Sequence, residues 1–219
     1  MQSKINWCFI ISITSILMVN SAGAYDPPKR LNWGLTYEAV ATTLEGLPKK
    51  ERIQIKEAKE REDLPTGFLA AELKKVKLFG KKTKEARVVF DTTGGLCALQ
   101  YGFVWENKEK TDNVFESANK GRDKSWEYHD ELLTALRTKY GDPAATISDE
   151  LIGHDISSGT KLKTEWVDSV SGDKIILAIS RQKKNLVISR LDYYIVVLLY
   201  HSPTYTEAKQ EEIRESEDI

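Results

Sequence analysis

The groups in this 219-residue chain that could do polar chemistry are three histidines, two cysteines and a large, scattered set of carboxylates. His129, His154 and His201 stand at no spacing that puts two of them on one metal ion, and a zinc site needs several ligands converging on a tetrahedron. His154 and Asp155 lie in the glycine-bounded stretch GHDISSG, which is loop chemistry and the better placement for function. A cleft beside that loop would make the chain a hydrolase or small-ligand-binding protein. No Gly-x-Ser-x-Gly elbow, phosphate loop or Gly-x-Gly-x-x-Gly fingerprint accompanies it, so an ordinary surface loop is the plainer reading. His129 falls on the apolar stripe of a helix and reads as a hydrogen-bonded core histidine, with Asp130 directed elsewhere. Cys97 sits inside an apolar strand and reads as a buried, inert thiol. No catalytic residue, metal ligand or cofactor-binding residue is assigned, and no cofactor is expected. Among the aromatics, Trp105 ends a strand just before the polar Glu106-Asn107-Lys108, where an exposed ring would mark a binding face. Trp105, His154 and Asp155 are therefore the candidate interaction residues.

The elements that must position these groups begin with Ser125–Pro143. Trp126, His129, Leu133, Leu136 and Tyr140 recur at steps of three and four, one face of a helix. Ser125 reads as its N-cap, Gly141 as the left-handed stop, and Pro143 forbids continuation. A first helix is predicted from Thr36 as N-cap, with Tyr37, Val40, Leu44 and Leu47 as its stripe and Gly46-x-Pro48 as its end. The charged run Lys49–Asp63 reads as a solvated helix or connector. Leu69, Ala71 and Leu73 alternate as in a strand. Ala86, Val88 and Phe90, a Thr-Thr-Gly-Gly turn, and Cys97, Leu99, Tyr101, Phe103 and Trp105 form a hairpin. Asn107–Lys124 reads as a polar loop. A short strand after Ala144, then strands on Leu162–Trp166 and Ile175–Ile179, a turn at Gln182–Asn185, and Leu186–His201 follow. The last of these is apolar on both faces and reads as a central strand covered on both sides. Glu207–Ile219 reads as a fraying acidic tail.

Residues 1–24 stand apart. Lys4, the apolar run Ile5–Val19 and the Ala-Gly-Ala ending describe a secretory signal peptide cut after Ala24. The expected location is periplasmic or secreted, with no stable membrane span once the leader is gone. The formal net charge is −1, and loss of Lys4 with the leader makes it one unit more negative. No basic excess points to nucleic acid.

The stretch Trp33-Gly34-Leu35-Thr36-x-Glu38-x-Val40-x-x-x-Leu44 resembles the opening helix of exported bacterial proteins built from small helix-plus-sheet modules. These include the small outer-membrane-assembly lipoproteins and the β-lactamase inhibitor protein. Leu132-Leu133-x-x-Leu136-x-x-Lys139-Tyr140-Gly141-x-Pro143, with Trp166 on a later strand, is similar to uncharacterised periplasmic proteins of the same look. The resemblance implies helices packed on an antiparallel sheet and a protein-binding or scaffold role, with no catalytic residues to carry over. Position 25 is Tyr rather than a lipid-bearing Cys.

The expected fold is α+β, an antiparallel sheet of about six to seven strands against two main helices, over residues 25–206 with the acidic tail at 207–219. The alternative of two similar αβββ halves, 25–106 and 120–206, rests on a shared grammar of a capped helix ending in Gly-x-Pro and then antiparallel strands, although aligning Gly46 with Gly141 does not superpose the apolar stripes and sets Leu44 on Lys139. The expected function is a non-enzymatic interaction or scaffold domain of the cell envelope, partnered by another envelope protein through a sheet face or strand edge.

Overall fold

The computed structural model describes residues 31–49, 51–104, 114–148, 160–185 and 190–217. In chain order the elements are α1 (Tyr37–Glu45), β1 (Gln54–Ile55), β2 (Lys59–Glu60), β3 (Leu69–Lys74), β4 (Lys77–Leu78), β5 (Lys81–Lys82), β6 (Glu85–Phe90) and β7 (Leu96–Val104). Then come α2 (Val114–Tyr140), β8 (Ala145–Ser148), β9 (Thr160–Val167), β10 (Lys174–Asn185), β11 (Arg190–His201) and α3 (Pro203–Glu217). Nine strands make one sheet in the order β1-β3-β6-β7-β11-β10-β9-β8, with β2 also pairing to β3, while β4 and β5 form a separate hairpin. Each pairing is antiparallel. The fold is thus α+β, with more strands and one more helix than the sequence pattern suggested.

The core lies on one face of the sheet, under α1 and α2. Thr36 caps α1 by accepting from the Ala39 N–H at 3.3 Å, and Val40 and Leu44 are fully buried. Leu132 and Leu136 of α2 are equally buried among Val88, Leu99, Phe103, Leu177 and Leu198. Period two in the strands meets period 3.6 in the helices, so each presents one apolar side to the other. Gly141 ends α2 at φ +80°, and its carbonyl accepts from Trp166 Nε1 at 2.9 Å. Trp166, wholly buried, thereby fastens the helix stop to β9.

Several expectations are corrected. Helix α2 starts at Val114, so much of the predicted loop Asn107–Lys124 is helical and Ser125 is not a cap. The Ser125 hydroxyl instead lies 2.9 Å from the Gly121 carbonyl and 3.3 Å from that of Tyr194, the back-bonding of a mid-helix serine set against β11. The charged run from Lys49 contributes β1 and β2, with Ile53 buried as its anchor. Gln182–Asn185 continues β10, Asn185 pairing with Arg190. The acidic segment expected to fray forms most of α3. Cys97 leaves the face shared by Leu99, Tyr101 and Phe103. A register shift sets Phe90 opposite Leu96 but Val89 opposite Ala98, which makes Cys97 the extra residue of a bulge.

Leu136→Ala should lower stability by about 2–5 kcal/mol through the cavity it opens under the sheet. A urea titration reads this as a lower midpoint at unchanged slope.

Candidate interaction surface

The other face of the sheet is only partly covered. Register places Lys59, Ala70, Val89, Ala98, His201 and Lys174 in one row across it. Helix α3 lies over this row, with Tyr205 and Ala208 packed on a small cluster of Leu64, Phe68, Ala70, Val89, Cys97 and Ala98. The Tyr205 ring meets Phe68 edge-on at 6.1 Å and His201 at 4.6 Å, and its hydroxyl accepts from Gln100 at 3.2 Å. Lys209 ties the helix to the Asp63 carbonyl at 3.2 Å. Beyond these contacts α3 runs out of sheet, and Gln210–Ser216 is exposed throughout.

The next rows lie outside α3. Leu199 aligns with Gln100, Arg87 and Glu72 on one side and with Ile176 on the other. Val197 aligns with Gly102, Glu85 and Ala178, and Ile195 with Val104 and Ser180. Ile195, Val197 and Leu199 are each partly exposed, whereas Val196, Leu198 and Tyr200 between them are buried. β11 is therefore central in the sheet but not covered on both sides, which corrects the sequence reading.

These rows floor a groove of about 590 Å³. Its rim carries Arg61, Lys74, Lys75, Lys82, Lys84 and Arg87 against the acids Asp63, Glu72 and Glu85. Asp63 is bracketed by Arg61 and Arg87. Burial pushes its carboxyl up, but hydrogen bonds from the two guanidinium groups prevail and hold it down at about 2. Lys56 pairs with Glu72 beside it and holds that carboxyl low as well. The fixed charges leave the rim cationic around an apolar floor.

Of the sequence candidates, Trp105, His154 and Asp155 lie outside the described residues. His129 is buried on α2 as its stripe requires, but Asp130 does reach it, with Nδ1 and Oδ1 3.2 Å apart. Burial lowers the His129 pKa and the Asp130 contact opposes the shift. Cys97 is buried, and burial drives its thiol far above the usual range. Among the described residues no three His, Cys, Asp or Glu side chains converge on a metal position. The groove residues were missed because apolar alternation on both faces of β11 does not say which face a helix will take. A discernible signal was the set of six lysines within Lys74–Lys84. No protein-family model, curated protein or solved structure matches the chain.

His201 supplies a pH test of the α3 seat. Burial, then the charges of Lys174, Lys163 and Lys209, lower its pKa to about 3, and its Nε2 has no partner. The unfolded chain takes up this proton near its ordinary value of about 6.5. Stability is therefore lost as pH falls from about 6.5 towards 3, at up to about 1.4 kcal/mol per pH unit. His201→Phe keeps the ring packing and removes that proton, so its thermal midpoint should decline less than the wild type's between pH 6.5 and 5.

Proposed function

We propose that the chain is an exported, non-catalytic binding module of the cell envelope, periplasmic or secreted, that takes a segment of another envelope protein on the open sheet face. The single observation that carries this is the partly exposed apolar strip Ile195, Val197 and Leu199 on the central strand. An apolar floor inside a charged rim suits a partner whose apolar side chains are flanked by carboxylates. Burial of the partner's apolar groups would supply affinity, and the basic rim would orient it and reject a basic competitor.

The reading of two similar halves gains support from the strand order. In sequence α1 is followed by β3, β6 and β7, and α2 by β9, β10 and β11, and the last strand of each series meets the other at the middle of the sheet. That arrangement is what a likeness to tandem helix-plus-sheet modules would produce, and on that reading the strip on β11 would lie beside the junction between the halves.

The test uses two labelled peptides of equal length, one alternating Leu with Glu and one alternating Leu with Lys. Fluorescence anisotropy should show binding of the acidic peptide, and Val197→Asp should weaken it at least about tenfold, the equivalent of 1.4 kcal/mol. Equal binding of both peptides, or indifference to Val197→Asp, would remove the groove as the binding face.

A further inference from the structure

We infer that the β4–β5 hairpin is a docking point for an anionic lipid surface. The chain is slightly acidic overall, yet six lysines fall within Lys74–Lys84, around a single aromatic at the hairpin tip, Phe79. Phe79 is 40 % exposed. Lys74, Lys75, Lys77 and Lys82 are exposed, and no ion pair engages Lys75, Lys77 or Lys82 among the described residues.

Three features of the hairpin run against its own stability. Lys77 and Lys82 stand directly opposite each other in the ladder, where like charges repel. Lys75 and Phe79 hold φ of 64° and 49° and are the positive-φ residues other than glycine among those described. Left-handed backbone is unfavourable for a bulky side chain, and such departures persist where they serve a function or are over-determined by their surroundings. Here the surroundings do over-determine the backbone. Val76 and Leu78 are buried, and Thr83 donates to the Val76 carbonyl from its N–H at 3.0 Å and its hydroxyl at 3.2 Å. Lys81 pairs with Glu131 of α2 and sits 3.8 Å above the Tyr128 ring. One lysine thus anchors the hairpin inward while the others and Phe79 are presented outward on a fixed frame.

A rigid tip with one exposed ring among unpaired ammonium groups fits the headgroup region of a bilayer. There the ring enters the acyl boundary, and each lysine gains from the surface potential. A free phosphate would leave the ring unused. Docking of this kind lies at the surface, and no described helix is long and apolar enough to cross a membrane.

The experiment is co-sedimentation of the chain without the predicted leader, residues 25–219, with vesicles of phosphatidylcholine alone, or with about one third phosphatidylglycerol or phosphatidylserine. Wild type should bind both anionic mixtures, lose binding as salt rises, and ignore the neutral vesicles. Lys77→Glu sets a carboxylate opposite Lys82, so its thermal midpoint should hold or rise while vesicle affinity falls about tenfold or more. Phe79→Ser should abolish the binding that survives high salt. Val197→Asp, in the groove, should leave vesicle binding unchanged, which separates failure of this inference from failure of the groove reading. Equal binding to neutral vesicles, or wild-type affinity in Lys77→Glu, would overturn it. So would Lys77-dependent binding of the acidic peptide without any binding to vesicles.

Discussion

The pairing of β7 with β11 is the constraint on which the rest of the molecule depends. It runs from Ile195 opposite Val104 to His201 opposite Ala98, and joins segments separated in sequence by the whole of α2 and three strands. Leu99, Tyr101 and Phe103 meet Val196, Leu198 and Tyr200 along this seam, all of them buried. The Tyr101 and Tyr200 rings touch edge to face at 6.3 Å, and burial pushes both phenols above the usual tyrosine range. Closing so long a loop costs entropy before any contact offsets it, so this seam is the non-local step of folding. Unpaired, it would leave two bare strand edges at the middle of the molecule.

Joining the strands there also merges what lies under the helices into one core. Val40 and Leu44 of α1 and Leu132 and Leu136 of α2 belong to the same buried cluster. Both helices therefore lie on one side, and among the described elements the opposite face carries only α3. That helix anchors chiefly through Tyr205 and Ala208, which pack on the middle of the row that runs through Val89, Ala98 and His201. An apolar strip consequently meets solvent beside the most buried part of the fold. The strip is modest, three partly exposed aliphatic side chains on alternate positions of one strand.

How much of this was legible in the sequence follows from where pattern and packing agree. Thr36, the Val40–Leu44 stripe, the Thr-Thr-Gly-Gly hairpin and Gly141 carry local instructions that the tertiary structure does not override. The start of α2 was hidden because a serine placed before an apolar stripe imitates a cap, while the turns before it carry no stripe. Helix α3 was hidden because two anchoring side chains among many acids look like a tail. The bulge at Cys97 was invisible, since it reverses the in–out parity within Leu96-Cys97-Ala98-Leu99, four apolar residues that show no alternation to break. The open face was the least legible, because β11 is apolar on both sides and only the placement of three helices decides which side stays bare. His154, Asp155 and Trp105 drew notice by residue type and by their place in a glycine-bounded loop or at a strand end, whereas the groove is made of ordinary aliphatics and lysines gathered from distant segments.

The outer border of the sheet beside β3 is built from two rungs only, at Gln54–Ile55 and Lys59–Glu60, with Lys56, Glu57 and Ala58 interrupting them. A continuous flat border would offer a ready template on which a second molecule could zip and then a third. Two short rungs, with charge at Lys59–Glu60 and between them at Lys56 and Glu57, give an incoming strand too few bonds to hold its register. This border can thus stand at the rim of the sheet without seeding strand-by-strand growth.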